Sequence, residues 1–114
     1  RWLSDWSSDV CSSDLEYIEA HYAEPLTDGM LAERCCLSRA HFIRRFRQCT
    51  GMTPIKYLQE HRTGIAAQQL AFTTRGIEEI AGATGFSTRA YFTRIFTRHT
   101  GMPPAAYRQA LRHV

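Results

Sequence analysis

The chain has 114 residues, 44% of them hydrophobic and 11% aromatic, with a formal net charge of +3. That is enough apolar content to rule out an intrinsically disordered chain, and enough length to bury a core in one domain or two small ones. No apolar run approaches the roughly 18 residues of a membrane helix, and no secretory leader is legible.

The charge is unevenly placed. Residues 1–37 hold two Lys/Arg and eight Asp/Glu, a net of −6, and residues 38–114 hold twelve and three, a net of +9. Thirteen of the fourteen basic residues are arginine, with Lys56 the exception. The planar guanidinium suits phosphate and guanine edges better than an ammonium does, so a polyanion is the expected partner of the basic part.

Taken in chain order, residues 1–14 repeat Ser-Asp without a helical or strand period, and the chain does not begin with Met. They resemble translated cloning sequence and are expected to be a non-native or disordered segment, leaving the visible chain a fragment. Helical spacing starts at Leu15, with Leu15, Ile18 and Tyr22 on one face, and Pro25 stops it. Thr27 is placed to cap a second helix that turns Met30, Leu31 and Ala32 inward. Ser38 caps a third, which ends at Gly51. Pro54 opens the longest helix, Pro54 to about Phe72, with Ile55, Leu58, Ile65, Ala66 and Leu70 as its buried stripe. After a break at Thr73–Gly76 come a short helix from Ile77, a turn at Gly85-Phe86, a helix from Thr88 that stops at Gly101, and a last one from Pro104. No stretch reads as a strand.

Residues 39–57, RAHFIRRFRQCTGMTPIKY, overlie residues 89–107, RAYFTRIFTRHTGMPPAAY, with ten of nineteen positions identical. The chain therefore contains one unit twice: a short helix, a tight turn that is one residue longer in the second copy, a longer helix, and Thr-Gly-Met-x-Pro. Each copy reads as a helix-turn-helix. Ala32 and Ala81 are small where two helices cross, and Leu37 and Phe86 plug the turn into the core. Phe42, Phe46 and Cys49 share one side of the first long helix, and Ala40, Ile43, Arg44 and Arg47 the other. In the second copy Phe92, Phe96 and His99 face in, Ala90, Thr93, Arg94 and Thr97 face out, Arg89 stands at the N-terminal end and Arg98 on the flank. Packing beside the core phenylalanines is expected of His41 and Tyr91. A helix of this width fits a major groove, and two of them on a rigid Pro54–Phe72 connector match successive grooves about 34 Å apart.

The string IEEIAGATGFSTRAYFTRIFTRHTGMPPAAYR, residues 77–108, and its partner LAERCCLSRAHFIRRFRQCTGMTPIKYL resemble the DNA-binding domain of the AraC/XylS family of bacterial transcription regulators. The resemblance covers residues 15 to 112. The connector departs from it at Thr63 and Gln69, where the family usually carries aliphatic residues. It implies an all-α fold of about seven helices: a homeodomain-like helix-turn-helix subdomain over 15–53, a linker helix over 54–72 and a second such subdomain over 73–114. It places base contacts at Ala40, Ile43, Arg44, Arg89, Ala90, Thr93 and Arg94. Arg44 and Arg94 are the candidates for guanine, and Ile43 for a thymine methyl. Phosphate contacts are expected from Arg39, Arg47 and Arg98 and from the helix N-termini near Ser38 and Ser87. The implied partners are double-stranded promoter DNA and RNA polymerase, with the chain acting as an activator in the bacterial cytoplasm. A ligand-sensing or dimerisation domain ahead of this one is also implied.

No cofactor or metal is expected. The cysteines, Cys11, Cys35, Cys36 and Cys49, lack zinc-site spacing and are read as reduced thiols, and the five histidines have no convergent partner for acid–base work. Two rival readings remain: a helix-turn-helix that binds only proteins, and a cysteine enzyme such as a DNA-repair alkyl acceptor, which needs a reactive low-pKa thiol.

Overall fold

The computed structural model describes residues 5–112, with side chains from residue 12 onward. Among the described residues all regular structure is helical: α1 (Asp5–His21), α2 (Asp28–Arg34), α3 (Arg39–Thr50), α4 (Pro54–Phe72), α5 (Ile77–Ala83), α6 (Arg89–Thr100) and α7 (Pro104–Arg112). None of these helices is long and apolar enough to cross a membrane. The chain divides into two units, the first ending at Leu58 and the second starting at Gln59, so α4 begins in one and ends in the other.

The first unit packs Ile18 of α1, Leu26, Leu31 and Ala32 around α2, Phe42 and Phe46 of α3 and Leu58 of α4 into one cluster. Leu15, Tyr17, Tyr22, Leu37 and Tyr57 lie against it. Thr27 caps α2 as expected, accepting the Met30 N–H at 3.1 Å. Met30 itself is 46% exposed and not part of the core, because Leu31 and Ala32 already fill the inward arc of a seven-residue helix. α1 starts ten residues before Leu15. Once a packed face nucleates a helix, each added residue gains a backbone bond, and the Ser-Asp run has no Pro or Gly to interrupt it. Asp14, one turn before Ile18, is buried and accepts a hydrogen bond from Cys35 Sγ at 3.2 Å. The expectation that residues 1–14 are non-native or disordered bears in part on residues 1–4 and the side chains of 5–11, outside the described residues.

The second unit repeats the arrangement with Ala66 and Leu70 of α4, Ile80 and Ala81 of α5, Phe86 in the turn, and Phe92, Ile95 and Phe96 of α6. Ala67, Ile77, Tyr91 and Tyr107 pack on this cluster. The buried face of α4 is less apolar than its pattern suggests. Ile55 and Ile65 are only half-buried, whereas Arg62 and Thr63 are buried at 7% and 5% exposure. Arg62 lies over the Phe86 ring, 5.9 Å from its centroid, and burial lowers its pKa, with Tyr91 opposing. Gln69 is half-buried and accepts a bond from Arg75 at 2.9 Å. Arg108 of α7 donates to the carbonyls of Leu70 and Thr73, at 3.1 and 3.2 Å, and so satisfies the C-terminal end of α4.

The turn inside each unit closes in the same way. The Leu37 N–H reaches the Ala32 carbonyl at 3.0 Å, and the Phe86 N–H reaches that of Ala81 at 2.9 Å. The residue before each plug has positive φ: +59° at Cys36 and +95° at Gly85. This is the left-handed cap in which glycine is unstrained and cysteine is not.

Each long helix also ends alike. Gly51 and Gly101 stop α3 and α6 at φ +83° and +87°. The hydroxyls of Thr50 and Thr100 lie 2.9 and 2.8 Å from the carbonyls of Phe46 and Phe96, and 3.0 Å from those of Met52 and Met102. They also accept the Met52 and Met102 N–H groups. Buried Pro54 and Pro104 then start the following helix, and Tyr57 and Tyr107 set their rings edge-on to Phe46 and Phe96 at 5.9 and 5.2 Å. The Thr-Gly-Met-x-Pro-x-x-Tyr repeat is thus a clasp that fixes where the chain leaves the long helix.

Cys35 and Cys36 are free, but Cys49 is disulfide-bonded. This corrects the reading of four reduced thiols: sulfur pairing depends on distance in space, which spacing along the chain does not reveal.

Candidate nucleic-acid interface

The site is built on α3 and α6. In α3, Ser38 is the cap, its hydroxyl accepting the His41 N–H at 3.2 Å. Phe42 and Phe46 are buried and hold the inner side. Arg39, Ala40, Arg44 and Arg47 are exposed and Ile43 is half-buried. Ala40, Ile43, Arg44, Arg47 and Gln48 line one open depression in the surface. His41 is exposed and does not pack beside the phenylalanines as expected, whereas Tyr91 at the matching position of α6 does.

In α6, Phe92, Ile95 and Phe96 are buried; Arg89, Ala90, Arg94 and Arg98 are exposed, and Thr93 is half-buried. Tyr91 lies between these faces. Its hydroxyl accepts a bond from Gln59 Nε2 at 2.8 Å, its ring meets Phe86 edge-on at 5.8 Å, and the Arg94 guanidinium stands 5.5 Å from its centroid. The cap of α6 is Thr88, which accepts the Tyr91 N–H at 3.0 Å. Ser87 does not fill that role: it is the extra residue between the Phe86 plug and the cap. Thr88 stands fifty residues after Ser38, the same offset as the ten identities of the repeat, so the repeat itself identifies the cap.

Each helix thus carries a fully buried aromatic side and an exposed cationic side. Neither α3 nor α6 contains an acidic residue. Arg44, Arg47, Arg89 and Arg98 make no ion pair among the described residues, so their charge is available to an external anion. Asp28, the first residue of α2, has one carboxylate oxygen buried without a partner. Desolvation raises its pKa, and Arg39 acts against that shift. A small residue, Ala40 or Ala90, near the start of each exposed side lets the helix backbone come close to a facing surface. Burial, followed by the hydrogen bond to Asp14, pushes the Cys35 thiol up to about 11, so it is protonated at neutral pH. No cluster of metal-ligating side chains occurs among the described residues.

The family described as "Helix-turn-helix domain" matches residues 31–110. The HTH-type transcriptional regulator AlkR of Acinetobacter baylyi is 36% identical over 87 residues, which is 76% of this chain and 28% of that protein. The chain spans about a fifth to a third of the length of the curated relatives it matches. Among solved structures, the DNA-binding domain of the global transcriptional factor AdpA, in complex with a target DNA, superimposes with a TM-score of 0.86 at 33% identity, covering 90% of this chain and 93% of that one. A transcriptional regulator of Chromobacterium violaceum, described as of the AraC-type DNA-binding domain-containing proteins, has a TM-score of 0.81 at 30% identity, covering 92% and 94%.

Proposed function

The chain belongs to the AraC/XylS-type helix-turn-helix family, and from that premise we propose that it is the DNA-binding domain of a bacterial transcription activator, reading duplex DNA with α3 and α6 in successive major grooves. The observation that carries the reading is the matched two-sidedness of the two helices: buried Phe42–Phe46 and Phe92–Phe96 behind, exposed Arg44 and Arg94 in front. Base edges are read by Ala40, Ile43 and Arg44 and by Arg89, Ala90, Thr93 and Arg94. Arg39, Arg47, Arg98 and the amides at the helix starts near Ser38 and Ser87 hold phosphates. The phosphate contacts supply affinity for any duplex, and the base contacts supply sequence choice. Recruitment of RNA polymerase, control by a ligand-sensing or dimerisation domain, and residence in the cytoplasm at the nucleoid belong to the same proposal. No catalytic role is proposed: a nucleophilic cysteine needs a depressed thiol pKa, and that of Cys35 moves the other way.

Fluorescence anisotropy with a labelled duplex at two salt concentrations tests this. Four to six neutralised phosphates predict that affinity falls roughly a hundred- to a thousandfold between 50 and 200 mM salt. Absence of duplex binding at low salt refutes the proposal in favour of a helix-turn-helix that binds only proteins.

A further inference from the structure

The two reading helices are not equally prepared. Arg94 lies within cation–π range of Tyr91, at 5.5 Å from its ring centroid. Tyr91 is in turn fixed at two points, by the 2.8 Å bond from Gln59 Nε2 of α4 to its hydroxyl and by its edge-on contact with Phe86 in the turn. Phe86 is itself part of the buried cluster, so the ring is tied to the core of the second unit. The matching position of the first unit is His41, which is exposed, and among the described residues Arg44 has no ring beneath it.

We infer that Tyr91 is a positioning residue for Arg94: a ring anchored from α4 and from the turn holds the guanidinium at the outer face of α6 before any partner arrives. A free arginine loses side-chain entropy when it is fixed against a base, and a pre-stacked one loses less, so discrimination at its base pair is sharper. Arg44, without a platform, reads its base pair with less selectivity than Arg94. The inference rests on the DNA-binding reading and goes beyond it by assigning a residue outside the proposed base and phosphate contacts.

The test is a double-mutant cycle on the full chain. A duplex is first selected from a randomised library with the unmodified protein, and dissociation constants are then measured for it and for its single-base-pair variants. Tyr91→Leu is expected to lower discrimination two- to fivefold at the base pair that Arg94→Ala also affects, to leave other positions unchanged, and to have no effect in the Arg94→Ala background. Tyr91→His, which installs the residue of the first unit, is measured in parallel at pH 8 and decides the matter if the leucine variant does not fold. An equal loss in both backgrounds, or unchanged discrimination in a folded variant, overturns the inference while the DNA-binding reading stands. Failure of the unmodified chain to select any duplex overturns that reading, and this inference with it.

Discussion

Thr63 is the sharpest test of the packing. It sits in the middle of α4 at 5% exposure, and its hydroxyl has no hydrogen-bond partner. Threonines within a helix or just past its end show what it lacks: Thr73, Thr84, Thr97 and Thr100 each donate to the carbonyl four residues earlier, at 2.6 to 2.8 Å. Burying a hydroxyl without a partner costs about 1–3 kcal/mol. Thr63→Val removes that penalty, keeps the β-branch and its stiffness, and puts a methyl in place of the hydroxyl at a buried position. A gain of about 1–2 kcal/mol is expected, which for a chain of this size raises Tm by about 4–10 °C. Circular dichroism at the helical band, with a urea midpoint as a second probe, reads the change. A Tm that is unchanged or lower, with equal cooperativity, refutes the reasoning and shows that the hydroxyl bonds to the Gln59 carbonyl after all.

Arg94→Ala is expected to weaken binding to a selected duplex by about 1–3 kcal/mol and to relax choice at one or two base pairs; equal weakening across all sequences, measured by anisotropy, reassigns Arg94 to phosphate. Phe92→Ala removes a fully buried ring and is expected to cost about 3–5 kcal/mol in urea unfolding. A variant that unfolds like the parent chain contradicts the inward face of α6. With iodoacetamide at pH 8, exposed Cys36 is expected to alkylate well before Cys35, because a thiol whose pKa is about 11 stays protonated there, and unfolding in urea abolishes the difference. Mass spectrometry showing Cys35 modified as fast as Cys36 in the folded chain contradicts its burial and its bond to Asp14.

The parts of the fold legible in the sequence are those with local causes. Ser38, Gly51, Pro54, Gly101 and Pro104 each terminate or start a helix through their own backbone chemistry, and the observed bounds of α3, α4, α6 and α7 follow them. The two-sided character of α3 and α6 follows from spacing alone, because phenylalanines four apart leave the arginines no other side. What spacing does not contain is the third dimension. Arg62 and Thr63 sit where a polar residue reads as exposed, and only the packed neighbours show them buried. Ser87 and Thr88 are equally good caps by residue type, and the choice depends on which residue the plug at Phe86 leaves in the capping position. Ring stacking of Tyr91 with Arg94 is a three-residue spacing visible in the sequence, but its anchor on Gln59 joins residues 32 apart and is not.

The clasps at Thr50-Gly51 and Thr100-Gly101 have an evolutionary corollary. Each half latches its own probe using only residues from the same half, so a substitution on one probe leaves the other's mounting untouched. Such insulation lets a tandem copy drift in meaning without losing its shape, and the drift is already visible where Ile43 corresponds to Thr93 and His41 to Tyr91. Two unlike heads on one polypeptide spell a message with a beginning and an end. On the proposed DNA-binding function, a single molecule is then expected to settle on an asymmetric duplex in one heading only.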